Sequence, residues 1–325
     1  MPRKIQHDHP QVIEESLNCE LCGSRAELNQ EICTTALIQL WAERGVSVEA
    51  IFKNIKFFGM YKCQRCLFGF YFPKVCGDDK FYAAMAEQDW YYRHEDKIEY
   101  RYAADWLNDC GNVVDVGCGI GEFSQYLPPH INFLGLEVST EAVKIAKSLG
   151  RNVKQLEPQG NFTANGQFDA VTCFQVLEHV SDIPVFLKFL VDLCKPAGRI
   201  IIAVPNNESF LSVAVNNVLN MPPHHVSLWN KTSLFVLAER NACEVENYIE
   251  EKISAIHIHS YYMALIYAKT RKLFRLRHKV IEVRPHYYFF QKIVGRLAKV
   301  CCLLAPSPNV PGHSSIIILR KSGDS

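Results

Sequence analysis

The stretch Val113-Val114-Asp115-Val116-Gly117-Cys118-Gly119-Ile120-Gly121-Glu122-Phe123 determines the fold of this chain. Its first four residues predict a buried strand, and three glycines at alternate positions follow before a helical pattern begins. Glycine permits a sharp turn and leaves no side chain between the backbone and a ligand. A strand, a glycine-rich turn and a helix in this order usually open a nucleotide-binding α/β sheet. The spacing is G-x-G-x-G, which differs from the dinucleotide fingerprint G-x-G-x-x-G.

The residues after this stretch continue as alternating strands and helices. The pattern predicts strands at 113–117, 132–137, 152–156, 168–174, 199–204, 243–249 and 314–320, and helices at 121–127, 140–149, 183–194 and 232–241. Apolar runs without alternation are typical of parallel strands that are buried on both faces. Strands that alternate with helices predict a doubly wound sheet, which binds ligands at the carboxyl ends of its strands.

Several segments together resemble the class I S-adenosylmethionine-dependent methyltransferases. The resemblance rests on Val113–Gly121, on Glu137 at the end of the next strand, and on segments 168–171, 176–180 and 193–198, in the order of that family. It covers roughly residues 100–250. It implies a Rossmann-like α/β fold and S-adenosylmethionine as the cofactor.

Eight residues form the predicted cofactor site: Asp115, Gly117, Cys118, Gly119, Gly121, Glu137, Glu157 and Gln175. Glu137 can accept hydrogen bonds from both ribose hydroxyls. The resemblance implies that Asp115 orients the loop and the methionine amine. Glu157 is the predicted adenine contact, with a solvated loop residue as the alternative, and Tyr91 or Tyr92 could touch the methionine end.

Two neighbouring histidines follow a pair of prolines in Pro222-Pro223-His224-His225. A hydroxyl or carbon acceptor must lose a proton during methyl transfer, and histidine suits that task near neutral pH. We predict His225 as the base or substrate contact, with His224 second; the alternative is a hydrogen-bonding role ahead of the next helix. Glu178-His179 resembles a divalent-ion motif of the ubiquinone-biosynthesis O-methyltransferases. Gln175 replaces one of its carboxylates, so we predict a structural role there.

Two C-x-x-C knuckles lie near the N-terminus, Cys19/Cys22 and Cys63/Cys66. Two such loops can complete a tetrahedral zinc shell, so we predict structural zinc; ordinary core cysteines are the alternative. Residues 34–57 between the knuckles predict a helical insertion. A similar cysteine-rich segment occurs in some sugar and antibiotic C-methyltransferases, and this resemblance is partial.

The composition limits the other possibilities. The formal net charge of +1 gives no general support for a nucleic-acid partner. We find no signal peptide and no apolar run that could span a bilayer, so we expect a cytoplasmic protein. The predicted organisation is an N-terminal zinc-ribbon-like and helical segment, 1–98, and a methyltransferase domain, 99–325. Its helical insertion, 254–312, is either a substrate lid or an amphipathic peripheral membrane contact.

The sequence therefore predicts methyl transfer from S-adenosylmethionine to a small-molecule acceptor. O-methylation is favoured, with C- or N-methylation as further options. A nicotinamide-dependent oxidoreductase and a non-catalytic binding protein with this fold are the alternatives. A nucleic-acid methyltransferase is disfavoured, because the chain lacks an Asn-Pro-Pro-Tyr-type motif for base flipping.

Overall fold

The computed structural model describes residues 13–88, 97–156, 166–306 and 308–323. The N-terminal elements are β1 (Ser16–Asn18), β2 (Arg25–Cys33), α1 (Thr34–Ala42), β3 (Phe57–Cys63), β4 (Gly69–Phe72), α2 (Asp79–Ala86) and α3 (Ile98–Asp105). The central elements are β5 (Asn112–Val116), β6 (Asn132–Glu137), α4 (Thr140–Ser148), β7 (Val153–Gln155), β8 (Phe168–Phe174), α5 (Ile183–Leu193) and β9 (Cys194–Pro205). The remaining elements are β10 (Ser227–Leu228), α6 (Lys231–Arg240), β11 (Cys243–Lys252), α7 (Ile258–Leu273), α8 (Pro285–Leu304) and β12 (Pro311–Lys321).

The larger sheet has seven strands in the order β11-β12-β9-β8-β5-β6-β7. Strands β7, β6, β5, β8 and β9 pair in parallel, whereas β12 is antiparallel to both of its neighbours. The order reverses between β5 and β8, and such a switch point opens a ligand crevice at the carboxyl ends. The predicted doubly wound α/β sheet, the cysteine-rich segment before it and the helical insertion before the last strand are all confirmed.

The smaller sheet is antiparallel, with the order β1-β2-β3-β4-β10. Its last strand comes from far along the chain, since Ser227 pairs with Phe70 and Leu228 with Gly69. Both sheets contribute to one hydrophobic cluster, in which Phe68 lies 4.7 Å from Trp229 between ring centroids. The N-terminal segment therefore shares a hydrophobic core with the larger sheet.

Two predicted helices are shorter in the structure. The helix expected over 34–57 ends at Ala42, because Gly45 adopts a left-handed φ of +81° and its N–H bonds the carbonyl of Ala42. The helix expected over 121–127 is a 3₁₀ turn over Glu122–Tyr126. Leu127 precedes a proline and is extended, which stops helix propagation.

The insertion between β11 and β12 is a pair of helices, α7 and α8. Tyr262 on α7 donates a hydrogen bond to the carbonyl of Ala305 just after α8, at 2.7 Å. Across the described ranges, no helix combines the length and the apolarity that crossing a bilayer requires.

Candidate active site

The glycine loop after β5 has the backbone conformation that its sequence predicts. Gly117, Gly119 and Gly121 have φ angles of +73°, +54° and +74°. A Cβ at Gly117 would lie 2.4 Å from the Val176 side chain, whereas a Cβ at Gly119 would meet nothing within 4 Å. The loop is thus tightly packed at its start and open at its middle, where a ligand can approach the backbone.

Glu137 lies at the carboxyl end of β6, beside that opening. One carboxylate oxygen accepts the N–H of Gly119 and the other accepts the N–H of Ser139, both at 2.8 Å. Each oxygen keeps a second lone pair, so the group can still accept hydrogen bonds from two hydroxyls. This arrangement fits the predicted ribose contact.

Asp115 lies at the end of β5 and is 1% exposed. One carboxylate oxygen accepts the hydroxyl of Thr172 at 2.8 Å, and the other has no hydrogen-bond partner within the described residues. Burial raises the pKa of Asp115 to about 7, while Thr172 and Lys97 lower it and Glu137 raises it. A buried carboxylate oxygen without a donor fits the ammonium or sulfonium of the cofactor.

Other predicted contacts have different surroundings. The Cys118 side chain packs with Val143, Ala146 and Val153 in a buried cluster. Only the backbone of Cys118 is therefore available to a ligand at the loop. The Gln175 side chain donates to the Ser314 hydroxyl at 3.1 Å, toward β12. Glu157, Tyr91 and Tyr92 lie outside the described residues.

Three histidines meet close to the switch point, which the sequence analysis did not anticipate. The ring centroids of His179, His224 and His225 lie 4.6–4.8 Å apart. Oε1 of Glu178 is 3.9 Å from Nε2 of His179 and 3.9 Å from Nε2 of His225. Neither oxygen of Glu178 has a hydrogen-bond partner in the part of the chain that the structure describes. No local signal joins the two motifs, which are about 45 residues apart.

The N-terminal segment holds the histidine-bearing turn in place. Trp41 on α1 donates its ring N–H to the carbonyl of Pro222 at 2.9 Å, and Tyr71 on β4 donates its hydroxyl to the carbonyl of Asn220 at 2.9 Å. His179 Nδ1 lies 2.5 Å from the carbonyl of His224, which joins the two motifs directly. Residues far apart in sequence thereby bury the cluster.

Burial sets the charge of this cluster. It lowers the pKa of His179 to about 4, lowers the pKa values of His224 and His225 well below the usual range, and raises the pKa of Glu178 to about 8. All three imidazoles are therefore neutral at pH 7. One ring nitrogen from each of the three histidines lies within 4.8 Å of the other two, which is close enough for the three to be candidate ligands of one metal ion.

A cavity of about 170 Å³ lies between the smaller sheet and the segment after β9. Its lining includes Asn207, Glu208, Asn217, Asn220 and Tyr71. The Asn220 side-chain oxygen is 3.2 Å from Nδ1 of His225, although His225 does not line the cavity. Asn220 therefore lies between the cavity and the His225 ring and contacts both.

The four N-terminal knuckle cysteines meet at one end of the smaller sheet. The sulfurs of Cys19 and Cys66 are 3.6 Å apart, those of Cys22 and Cys63 are 3.4 Å apart, and all four side chains are buried. Zinc–sulfur bonds of about 2.3 Å in a tetrahedron put sulfurs about 3.8 Å apart, close to these separations.

Comparison with known proteins supports the resemblance to methyltransferases. Residues 87–248 match the family model described as a methyltransferase domain. The chain is 29% identical over 137 residues to the ubiquinone biosynthesis O-methyltransferase of Erwinia tasmaniensis, a match that covers 37% of this chain and 56% of that protein. It is 32% identical over 102 residues to the protein of the same name from Colwellia psychrerythraea, covering 29% and 42%. The chain thus spans about half the length of these curated relatives.

One solved structure with a similar fold is a SAM dependent methyltransferase from Archaeoglobus fulgidus. It is 17% identical, with a TM-score of 0.44 over 69% of this chain and 92% of that one. The family-model match covers the glycine loop, Asp115 and Glu137. On this match and on the geometry of those residues, the chain belongs to the class I S-adenosylmethionine-dependent methyltransferases.

Proposed function

We propose that this protein transfers the methyl group of S-adenosylmethionine to a hydroxyl of a small biosynthetic intermediate. The observation that carries the proposal is the pair of acids at the carboxyl ends of the neighbouring strands β5 and β6. The Asp115 oxygen without a donor and the Glu137 carboxylate flank the open middle of the glycine loop. Their positions suit the charged tail and the ribose of this cofactor.

Methyl transfer depends more on the alignment of the acceptor with the methyl donor than on general acid–base catalysis. The bound cofactor supplies an activated methyl group on its sulfonium. Glu137 would hold the ribose and Asp115 the ammonium, so that the acceptor oxygen, the methyl carbon and the sulfur lie in line. Positioning of the acceptor oxygen by these residues would supply much of the acceleration.

The acceptor hydroxyl must also lose its proton. We assign this role to His225, with His224 second, because Asn220 contacts the His225 ring and lines the cavity of about 170 Å³. Burial lowers the pKa of His225, which keeps the ring nitrogen unprotonated at pH 7 and makes it a weaker base than a free imidazole. The relatives are named as O-methyltransferases, and this supports oxygen as the acceptor atom.

Structural zinc at Cys19, Cys22, Cys63 and Cys66 is part of the proposal. Their buried, clustered sulfurs support it. A reducing, cytoplasmic location agrees with this proposal, because none of the thirteen cysteines forms a disulfide in the structure.

The first test is titration calorimetry with S-adenosylmethionine, S-adenosylhomocysteine and NAD⁺. We expect binding of the first two and none of NAD⁺. Binding of NAD⁺ alone would favour an oxidoreductase, and absence of all binding by folded protein would favour a non-catalytic role.

The second test screens hydroxylated acceptors for label transfer from methyl-labelled cofactor. His225→Gln should lower kcat by about 10²–10⁴ and leave cofactor binding unchanged. His130→Gln is the control, because His130 is exposed and lies outside the site. Equal activity of both variants would remove the base assignment.

A further inference from the structure

The insertion between β11 and β12 carries most of the large apolar side chains that remain exposed in the described residues. Ten of the seventeen such side chains belong to the segment from Ile256 to Leu304. Single exposed apolar residues are common on protein surfaces. A concentration of them in one segment indicates a surface that binds another molecule or a membrane.

On α8 these side chains form a single stripe. Phe289, Ile293, Leu297, Val300 and Leu304 recur at helical spacing and are 69%, 42%, 50%, 51% and 81% exposed. The stripe is separate from the buried residues of α8, which are Tyr287, Val294 and Ala298. The helix therefore has two apolar sides, one packed on the protein and one facing solvent.

Basic side chains run alongside the exposed stripe. Lys292, Arg296 and Lys299 are exposed, and each directly precedes a stripe residue, which puts them about 100° around the helix axis. A stripe of large apolar residues beside a basic stripe is the pattern of a helix that lies in a membrane interface.

The charge of the whole insertion agrees with this pattern. Residues 253–310 contain ten Lys and Arg and a single acid, Glu282. Removing these from the chain totals of 35 basic and 34 acidic residues leaves 25 and 33. Glu282 is itself paired with Arg284. A protein with a net charge of +1 thus concentrates positive charge where its apolar surface is exposed.

A second exposed group occurs where α7 ends. Leu273, Phe274 and Leu276 are 76%, 65% and 62% exposed and are interleaved with Arg275 and Arg277. Apolar side chains among basic ones insert at the boundary between headgroups and acyl chains, while the cations contact anionic lipid.

We propose that the exposed stripe of α8, with its basic flank, docks this protein on an anionic lipid surface. Charge complementarity selects lipid as the occupant, since a second copy would present the same basic flank and repel it. The contact is peripheral, because the charged flank interrupts the apolar surface along the length of α8. This inference concerns the location of the protein and is independent of its catalytic step.

Vesicle flotation tests the proposal directly. The full chain is mixed with phosphatidylcholine vesicles, or with vesicles that also contain phosphatidylglycerol. We expect flotation with the anionic vesicles only, weakening as salt is added. Phe289→Ser with Leu297→Ser should weaken binding roughly tenfold or more. Lys292→Gln with Lys299→Gln should weaken it by about fivefold for each charge removed.

Val185→Ser is the matched control, because Val185 is 65% exposed on α5, outside the insertion. It should float like the unchanged protein. Failure of the folded protein to bind anionic vesicles would overturn the proposal, as would equal binding by the stripe variant. A dimer in solution that the stripe variant separates would assign the surface to a second copy instead.

Discussion

The raised pKa of Asp115 predicts that cofactor binding depends on pH. The carboxyl is buried, and its pKa of about 7 is well above the usual range for aspartate. S-adenosylmethionine carries positive charge on its amine and its sulfonium, so we expect it to bind the ionised carboxylate more tightly than the acid. Binding should then release a proton near pH 7.

The size of the effect follows from the ionised fraction. With a pKa of about 7, the carboxylate makes up about one-tenth of the population at pH 6 and about nine-tenths at pH 8. If only this form is competent, the apparent Kd falls about tenfold over that range. Calorimetry at pH 6, 7 and 8, in buffers of different ionisation enthalpy, measures both the affinity and the proton release.

Asp115→Asn is the decisive control, since it keeps the size of the side chain and a hydrogen-bond partner for Thr172. It should bind more weakly at all three pH values than the unchanged protein does at pH 6, and its Kd should not depend on pH over this range. The variant should remain folded and should gain stability at pH 8. An acid whose folded pKa is raised makes the free energy of unfolding fall as pH rises from about 4 to about 7, and the variant lacks this loss. An identical pH slope in the variant, or tighter binding at low pH, would refute the reasoning.

Three further predictions concern the loop, the ribose contact and the cysteines. Glu137→Gln should raise the Kd of both S-adenosylmethionine and S-adenosylhomocysteine about tenfold or more in calorimetry, because a charged acceptor is lost, and an unchanged Kd would remove the ribose assignment. Gly117→Ala should lower the free energy of unfolding by about 1–3 kcal/mol in urea titrations, since its φ is +73° and the new methyl would lie 2.4 Å from Val176. Cys63→Ser should abolish bound zinc and lower the Tm, whereas Cys33→Ser at an exposed position should change neither; zinc-free unmutated protein would contradict this.

The central sheet was predictable because its signals are local. Val113–Val116 is apolar except for Asp115, Ile200–Val204 is a continuous apolar run, and each lies in a strand of the larger sheet. Glycines at 117, 119 and 121 adopt the left-handed φ that their identity permits. The predicted helices were too long where a single residue ends the helix. Gly45 has this effect after α1, and Pro128 has it after the 3₁₀ turn.

The histidine cluster was only half predictable. The sequence indicated His224 and His225 as one feature and Glu178-His179 as another, but their contact depends on how β10 pairs with β4. A strand of two residues has no periodicity to detect, and its pairing partner lies more than 150 residues earlier. Phe81 packs against His224, and Trp41 and Tyr71 hydrogen-bond the carbonyls of Pro222 and Asn220 in the same turn; no nearby sequence pattern connects these residues to the histidines.

The short strand β10 has a consequence for how this protein can be divided. It is the only described strand of the smaller sheet that comes from beyond residue 98, and the segment leading into it carries His224 and His225. Deleting the first 98 residues would remove its strand partner along with the Trp41 and Tyr71 hydrogen bonds. The remaining chain would keep the glycine loop and lose the contacts that hold the turn carrying His224 and His225. If His225 is the base that we propose, transplanting the part of the chain after residue 98 alone would transfer cofactor binding without methyl transfer.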